Sequence, residues 1–293
     1  MKILITGATG FIGRELVKKL QYNYEIVTLV RENSDISIIN KLTCKIVKYK
    51  QHLEILEIFQ KEKVTGVIHC ASSVIVEHNE NNIEELLNSN IMYGTYLLEA
   101  SKQSGVKWFI NTGTFWQNYN TNDYNPVNLY AATKEAFQNL AKYYTETSSI
   151  VFTTLKLNDT FGENDTRDKV FNLWNNISKT NQSLDMSKGN QIIDISYIED
   201  IINAYTILIG HLNSYKSLEF NNKVFAVKSN ERMTLKELSK IFEEVVGKKL
   251  NINWDKRPYR NREVMNPISN IEVVPNWKQK YTLKEAIKRT IGV

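Results

Sequence analysis

The run Lys2-Ile3-Leu4-Ile5-Thr6 leads straight into Gly7-Ala8-Thr9-Gly10-Phe11-Ile12-Gly13 and then into an amphipathic stretch over 12–20. A short apolar run, a glycine at every third position and a helical period fix this end of the chain as strand, tight turn and helix. Glycines lack the Cβ that keeps a ligand off the backbone, and the helix N-terminus offers free N–H groups and a dipole that favours an anion. The spacing is G-x-x-G-x-x-G, not the G-x-G-x-x-G of the usual dinucleotide fingerprint. Its context, after a strand and opening a helix, is nevertheless that of a pyrophosphate-binding turn. Gly7, Thr9, Gly10, Phe11, Ile12 and Gly13 are therefore assigned to a dinucleotide cofactor. The competing reading is a glycine turn that only joins a strand to a helix.

The same alternation continues. Strands are expected over 2–6, 25–30, 45–48, 66–70, 107–112 and 150–157, and helices over 12–20, 53–61, 83–103 and 128–144. Strands alternating with helices of this length imply right-handed crossovers and a parallel sheet covered on both faces, a doubly wound, Rossmann-like α/β fold. Beyond residue 162 the alternation loosens. Helices are expected over 169–179, 198–209, 235–246 and 283–290, strands over 191–196 and 223–227, and an Arg- and Pro-rich loop over 256–267. Residues 1–162 are thus expected to form the dinucleotide-binding domain, which also receives a strand near 191–197. Residues 163–293 are expected to form mostly a smaller α/β substrate lobe over the sheet's carboxyl edge.

Composition narrows the function classes. With 42% hydrophobic and 24% charged residues the 293-residue chain is ordinary globular material. It has no apolar run of eighteen residues and no basic-then-apolar leader, so neither a membrane span nor a secretory signal is expected. Cys44 and Cys70 each lie in an apolar run and read as free thiols of a cytoplasmic protein. The net charge of +5 is spread along the chain, which favours solvated faces and anionic small ligands over nucleic acid. His52, His69, His78 and His211 show no metal-ligand spacing, and no metal is expected. No G-x-S-x-G frames a serine nucleophile.

The end of the second strand selects between the two nicotinamide cofactors. An acid there bonds the ribose 2′-OH of NAD, whereas an arginine accommodates the 2′-phosphate of NADP. The sequence reads Val30-Arg31-Glu32-Asn33, so Arg31 favours NADPH, with Arg14 as a second positive charge and Glu32 as a rival ribose acid that keeps NADH open.

Tyr130-Ala131-Ala132-Thr133-Lys134 opens a helical pattern, and four residues on a helix return to one face. A phenol is a poor acid or base at neutral pH until a nearby cation lowers its pKa, which Lys134 is placed to do. A chance surface Tyr–Lys pair is the alternative, disfavoured here by the glycine turn upstream. The fifth strand ends Asn111-Thr112-Gly113-Thr114, and of its two hydroxyls Thr112 is taken as the group that orients the reacting oxygen.

Together GATGFIG, Val67–Ser72 (VIHCAS), Asn90–Thr95 (NIMYGT) and YAATK resemble the extended short-chain dehydrogenases/reductases, the superfamily of nucleotide-sugar epimerases, dehydratases and reductases. The similarity runs through 155–162 and 194–200. Within it, INTGTFWQNYN, LNDTFGENDTR and Pro275-Asn276-Trp277 are most similar to the CDP-abequose and CDP-paratose synthase branch. The resemblance implies that Tyr130 is the general acid/base, that Lys134 tunes it and touches the ribose, and that Cys70, Ala71, Ser72 and Asn90 pack around the cofactor. It implies a homodimer built on the helices near 83–103 and 128–144. One departure is the third strand's ending, Val47-Lys48-Tyr49-Lys50, which lacks the usual aspartate near the adenine. A second is Gly113-Thr114, which stands where the 4,6-dehydratases carry an Asp-Glu pair.

The expected activity is NADPH-dependent reduction of the C4 ketone of a nucleotide-linked deoxy sugar. A nucleotide-sugar 4-epimerase with tightly held NAD and a non-catalytic NAD(P)-binding sensor or scaffold are the alternatives. Thr114, Trp116, Asp159, Arg167 and Arg257 are the expected substrate contacts, and Lys169, Arg260 and Arg262 are further candidates to clamp a pyrophosphate.

Overall fold

A computed structural model describes all residues from Met1 to Val293. Seven parallel strands form the central sheet: β1 (Lys2–Thr6), β2 (Glu25–Arg31), β3 (Lys45–Tyr49), β4 (Gly66–His69), β5 (Trp108–Thr114), β6 (Val151–Leu157) and a later strand, Lys223–Val227. Their spatial order is Lys223–Val227, β6, β5, β4, β1, β2, β3. The chain builds outward from β1 through β2 and β3, then crosses back to β4 on β1's other side. The topological switch therefore lies between β1 and β4. In such sheets the crevice beyond the carboxyl ends at that point is where ligands bind. β1 and β4 are apolar almost throughout, as a sheet buried on both faces requires: Ile3, Leu4, Ile5, Val67 and Ile68 are all shut off from solvent.

Helices cover both faces. On one side lie α1 (Phe11–Leu20) and α7 (Ile198–Leu212); on the other are α2 (Glu54–Glu62), α3 (Ile83–Leu87), α4 (Tyr93–Gln103) and α5 (Leu129–Glu146). The first core continues without a break into the second lobe, where Trp174 of α6 (Val170–Thr180), Phe242 of α8 (Leu235–Val246) and Ile287 of α9 (Leu283–Ile291) join it. The second core packs Phe59, Leu97, Phe109, Phe137 and Phe152.

Two expectations change. The single helix over 83–103 is three pieces, because Asn88–Met92 forms a π-helical turn between α3 and α4. The segment near 191–197 does not enter the central sheet. Short strands β7 (Asp159–Phe161), β8 (Leu184–Asp185), β9 (Ile192–Ile193) and β10 (Ile195–Tyr197) follow β6, and β10 pairs with β7 in a separate parallel ribbon. The strand that the second half contributes to the sheet is Lys223–Val227, β11, which zips onto β6 from Lys223↔Thr153 to Val227↔Leu157. β9 pairs with β12 (Met233–Thr234), and β8 with β13 (Ile252–Asn253).

The glycine turn shows why the sequence begins as it does. Gly7 sits at φ +70°, and a Cβ there would lie 2.6 Å from the Ala71 nitrogen just beyond β4. A Cβ on Gly13 would lie 2.2 Å from the Gly7 carbonyl oxygen, so α1 packs directly on the turn. Gly7→Ala should therefore combine left-handed strain with overpacking and lower stability by roughly 2–4 kcal/mol. A urea titration of the variant with an unchanged midpoint would contradict this contact.

Candidate functional site

A cleft of about 1030 Å³ opens over the carboxyl ends of β1, β4, β5 and β6, between the sheet and the second lobe. Gly7 and Gly10–Gly13 line one end. α1 starts at Phe11 with Gly10 as its N-cap and no side chain capping it, which leaves its first N–H groups to an incoming anion. Arg14, expected to add a second positive charge beside Arg31, is engaged with protein partners instead. Its guanidinium donates to the Asn164 carbonyl (2.9 Å) and lies 3.3 Å from Glu15.

Tyr130 and Lys134 share one face of α5, and the helix is started by Asn128, whose side chain accepts the Ala131 N–H at 3.0 Å. Lys134 is only 2% exposed, and no carboxylate pairs with it. Burial pulls its pKa down to about 8, offset in part by the Cys70 thiol. Tyr130 keeps some surface in the cleft, yet the protein around it pushes its pKa up to about 12, while the hydroxyls of Thr114 and Ser72 draw it back. Burial, and not the lysine charge, sets the shift, contrary to the expected lowering of the phenol. The consequence is a phenol that holds its proton through the neutral range.

The strand-end hydroxyls divide differently from the expectation. Thr112, expected beside the phenol, has its Oγ1 2.6 Å from the Tyr205 hydroxyl and 3.3 Å from Cys70 Sγ. Thr114 Oγ1 accepts the Trp116 N–H at 3.2 Å, and its hydroxyl is one of the two, with Ser72, that draw the Tyr130 pKa back down. Gln117 locks this turn: its Oε1 accepts the Thr114 N–H (2.9 Å) and its Nε2 donates to Glu135 on α5 (2.5 Å). The end of β5 and the helix carrying Lys134 are thereby tied together.

Asn90 requires a correction. It is fully buried in the π-helical turn, accepts from the Ser72 hydroxyl (2.9 Å) and Ser73 N–H (2.8 Å), and donates to the Ser73 carbonyl and Thr133. Its amide is spent on the wall behind the cleft, so it shapes the loop after β4 without facing a cofactor. Cys70 and Ser72 line the cleft; the Ala71 N–H is taken by Thr6 Oγ1 (3.2 Å), and Thr9 lies within the turn. His69 is a core histidine. Its Nδ1 meets Thr6 Oγ1 at 2.8 Å, and burial drives its pKa well down.

The five cations expected to clamp a pyrophosphate are unequally free. Arg167 is held by Asp165 and Thr160 over the Phe11 ring, Lys169 pairs with Asp159 at 2.9 Å, and Arg262 lies over Tyr119 and donates to Asn125. Asp159 is correspondingly occupied by Lys169. Arg257 and Arg260 line the cleft with their guanidinium groups outside any ion pair. Arg260 lies 6.0 Å from the Trp116 ring, which in turn meets the Tyr130 ring edge-on at 6.4 Å. Tyr205 and Gln117 escaped sequence reasoning, because neither belongs to a spaced motif and both act across elements. Glu32, the rival ribose acid, is paired with Lys50 at 3.2 Å.

The model of the NAD dependent epimerase/dehydratase family matches residues 3–222. The chain belongs to that family. It is 27% identical to the CDP-abequose synthase of Salmonella muenchen, over 100% of this chain and 97% of that one. To the CDP-abequose synthase of Yersinia pseudotuberculosis it is 25% identical, over 99% of both. Its fold matches the UDP-glucose 4-epimerase of Thermotoga maritima with UDP-glucose, at a TM-score of 0.84, 21% identity and coverage of 100% and 98%. It also matches the UDP-glucuronic acid 4-epimerase of Bacillus cereus with UDP-glucuronic acid and NAD, at 0.85, 20%, 100% and 98%. No helix is long and apolar enough to cross a membrane.

The two pKa values set a pH window. A reaction that uses the Tyr130 proton and the Lys134 charge should lose rate as pH rises through about 8, where Lys134 deprotonates, with no loss from Tyr130 until far higher. A profile flat to about pH 10 would contradict these roles.

Proposed function

We propose that this enzyme uses NADPH to reduce the C4 ketone of a nucleotide-linked deoxy sugar. The observation that carries the reading is the pairing of a protonated, largely enclosed phenol with a buried, unneutralised lysine in a cleft that begins at the glycine turn. The residues present fit a dinucleotide: an uncapped helix start, glycines with no room for a Cβ, and an ammonium lacking any protein counter-ion. Bound NADPH supplies the hydride, which is the cofactor's chemistry.

The chain's own residues do the rest. The glycine turn and the start of α1 bind the pyrophosphate. Lys134 bonds the ribose hydroxyls, and its charge stabilises the phenolate left when Tyr130 gives its proton to the C4 oxygen. Thr114, at the strand end beside the same phenol, holds that oxygen in line, and Thr112 lies one pleat deeper beside Cys70 and Tyr205. Arg257 and Arg260, free of ion pairs, take the substrate's phosphates, and Trp116 provides a flat wall for the sugar. Arg31 favours the 2′-phosphate of NADPH, and the pairing of Glu32 with Lys50 removes the acid that would favour NADH. The CDP-abequose synthases to which the chain is similar over its whole length support a nucleotide-sugar substrate. Gly113 and Thr114 cannot shuttle the protons that elimination of water requires, which weighs against a dehydratase. Exposed Ile83, Leu87 and Met92 beside exposed Leu140 and Tyr143 give α3–α5 an apolar face suited to a homodimer.

Supplied with a premade 4-keto deoxy sugar nucleotide and NADPH, the enzyme should consume NADPH and yield a product heavier by two hydrogens in mass spectrometry. Isomerisation with no net NADPH use would instead indicate the epimerase, and loss of water from a plain hexose nucleotide would indicate a dehydratase. Tyr130→Phe should lower kcat by roughly 10²–10⁴-fold with cofactor binding retained. Thr114→Val should cost more turnover than Thr112→Val; the reverse order would return the oxygen-orienting role to Thr112.

A further inference from the structure

A second cavity, of about 450 Å³, lies at the outer ends of β2 and β3, apart from the catalytic cleft. Its floor is rigid. Tyr49 stacks on Tyr93 with ring centroids 5.5 Å apart and planes 6° from parallel, and the His52 ring leans on both. Its rim is the turn after β2, where the Ser34 N–H donates to the Arg31 carbonyl and the Glu32 N–H to the Tyr49 carbonyl, each at 3.0 Å. Three charged side chains meet there with unequal commitments. Arg31 is exposed at the last position of β2 and enters no salt bridge. Glu32 is paired with Lys50 across the strand ends at 3.2 Å, and its backbone carbonyl takes the Lys48 ammonium at 3.1 Å.

We infer that Lys50 is a selectivity residue of the cofactor site: it occupies the Glu32 carboxylate and supplies, with Arg31, the positive charge that receives a 2′-phosphate. This inference rests on the proposed use of NADPH. An unoccupied acid at this point would bond a ribose 2′-OH and repel a phosphate. Among the side chains that line the cavity, Arg31 and Glu32 alone sum to zero charge, a poor receptor for a phosphate carrying more than one negative charge, the Lys48 ammonium being engaged on the Glu32 backbone carbonyl. Lys50 changes that sum to +1, and the hydroxyl and amide of Ser34 and Asn33 add neutral hydrogen-bonding groups to the same cavity. The Lys50–Glu32 pair is open to water, with side chains 68% and 49% exposed. An ammonium has three N–H donors, so Lys50 can keep one on Glu32 and turn the others to a phosphate.

The two cations therefore leave different signatures on substitution. Removing Arg31 takes away attraction for the phosphate only. Removing Lys50 takes away attraction and also frees Glu32 for the 2′-OH of NADH. Dissociation constants for NADPH and NADH, measured by calorimetry on the wild type, Arg31→Ala, Lys50→Gln and Lys50→Arg, separate these. Lys50→Gln should weaken NADPH about tenfold, the loss of one charge-assisted contact, and tighten NADH by about threefold. Arg31→Ala should weaken NADPH with NADH unchanged, and Lys50→Arg should behave as the wild type. Adding Glu32→Gln to Lys50→Gln should abolish the gain in NADH binding. If Lys50→Gln leaves both constants unchanged while Arg31→Ala loses NADPH, the role of Lys50 is overturned and the cofactor reading stands. A wild type that binds NADH more tightly than NADPH overturns the cofactor reading and this inference with it.

Discussion

The Lys134 ammonium is held almost wholly out of water with no carboxylate to neutralise it, and the arrangement of the cleft follows from that cost. Burying an ammonium costs several kcal/mol even after the surroundings relax. Here the cost appears as a pKa pulled down to about 8. A fold keeps such a group where a bound ligand offsets the loss, and perturbed groups of this kind cluster at functional sites. The ammonium lines the same cleft as the Gly7 turn. It shares its helix face with Tyr130, the one tyrosine that lines the cleft.

Holding that geometry takes partners from elements far apart in sequence. Asn128 starts α5 so that Tyr130 falls in its first turn. Asn90, in its π-helical turn, ties the loop after β4 to Thr133, the neighbour of Lys134. Gln117 ties the end of β5 to Glu135, the residue on the other side of Lys134. The lysine is thus clamped from both chain neighbours, with its own side chain left for a ligand. The second lobe adds the loop over 256–267, whose Arg260 reaches the ring of Trp116 above the phenol.

The alternating sheet was legible because its signals are local. Apolar runs such as Ile3–Ile5, the glycine turn and the four-residue Tyr130–Lys134 spacing depend on short-range chemistry, and each lies in the structure where the pattern placed it. The misses are all contacts between distant segments. A 3.6-residue period cannot reveal that Asn88–Met92 widens to a π turn, because the buried amide of Asn90 acts through residues 17 and 43 positions away. It cannot tell Thr112 from Thr114, which share a strand face and differ only in meeting Tyr205 or Tyr130. Nor can it show that Arg14 already donates to the carbonyl of Asn164, 150 residues away. The strand near 191–197 was read correctly as extended, but whether it joins the central sheet or a small ribbon is decided by its pairing with Asp159–Phe161.

The central claim is that this site moves one hydride to a sugar C4 while the phenol supplies the proton. The most direct measurement is the fate of the label when NADPH carrying deuterium at the transferable nicotinamide position meets a 4-keto deoxy sugar nucleotide. Proton and deuterium NMR of the product should show one deuterium at C4 and none elsewhere, with oxidised cofactor released in equal amount. Deuterium at C6, or deuterium that never leaves a cofactor recycled on the enzyme, would contradict the account.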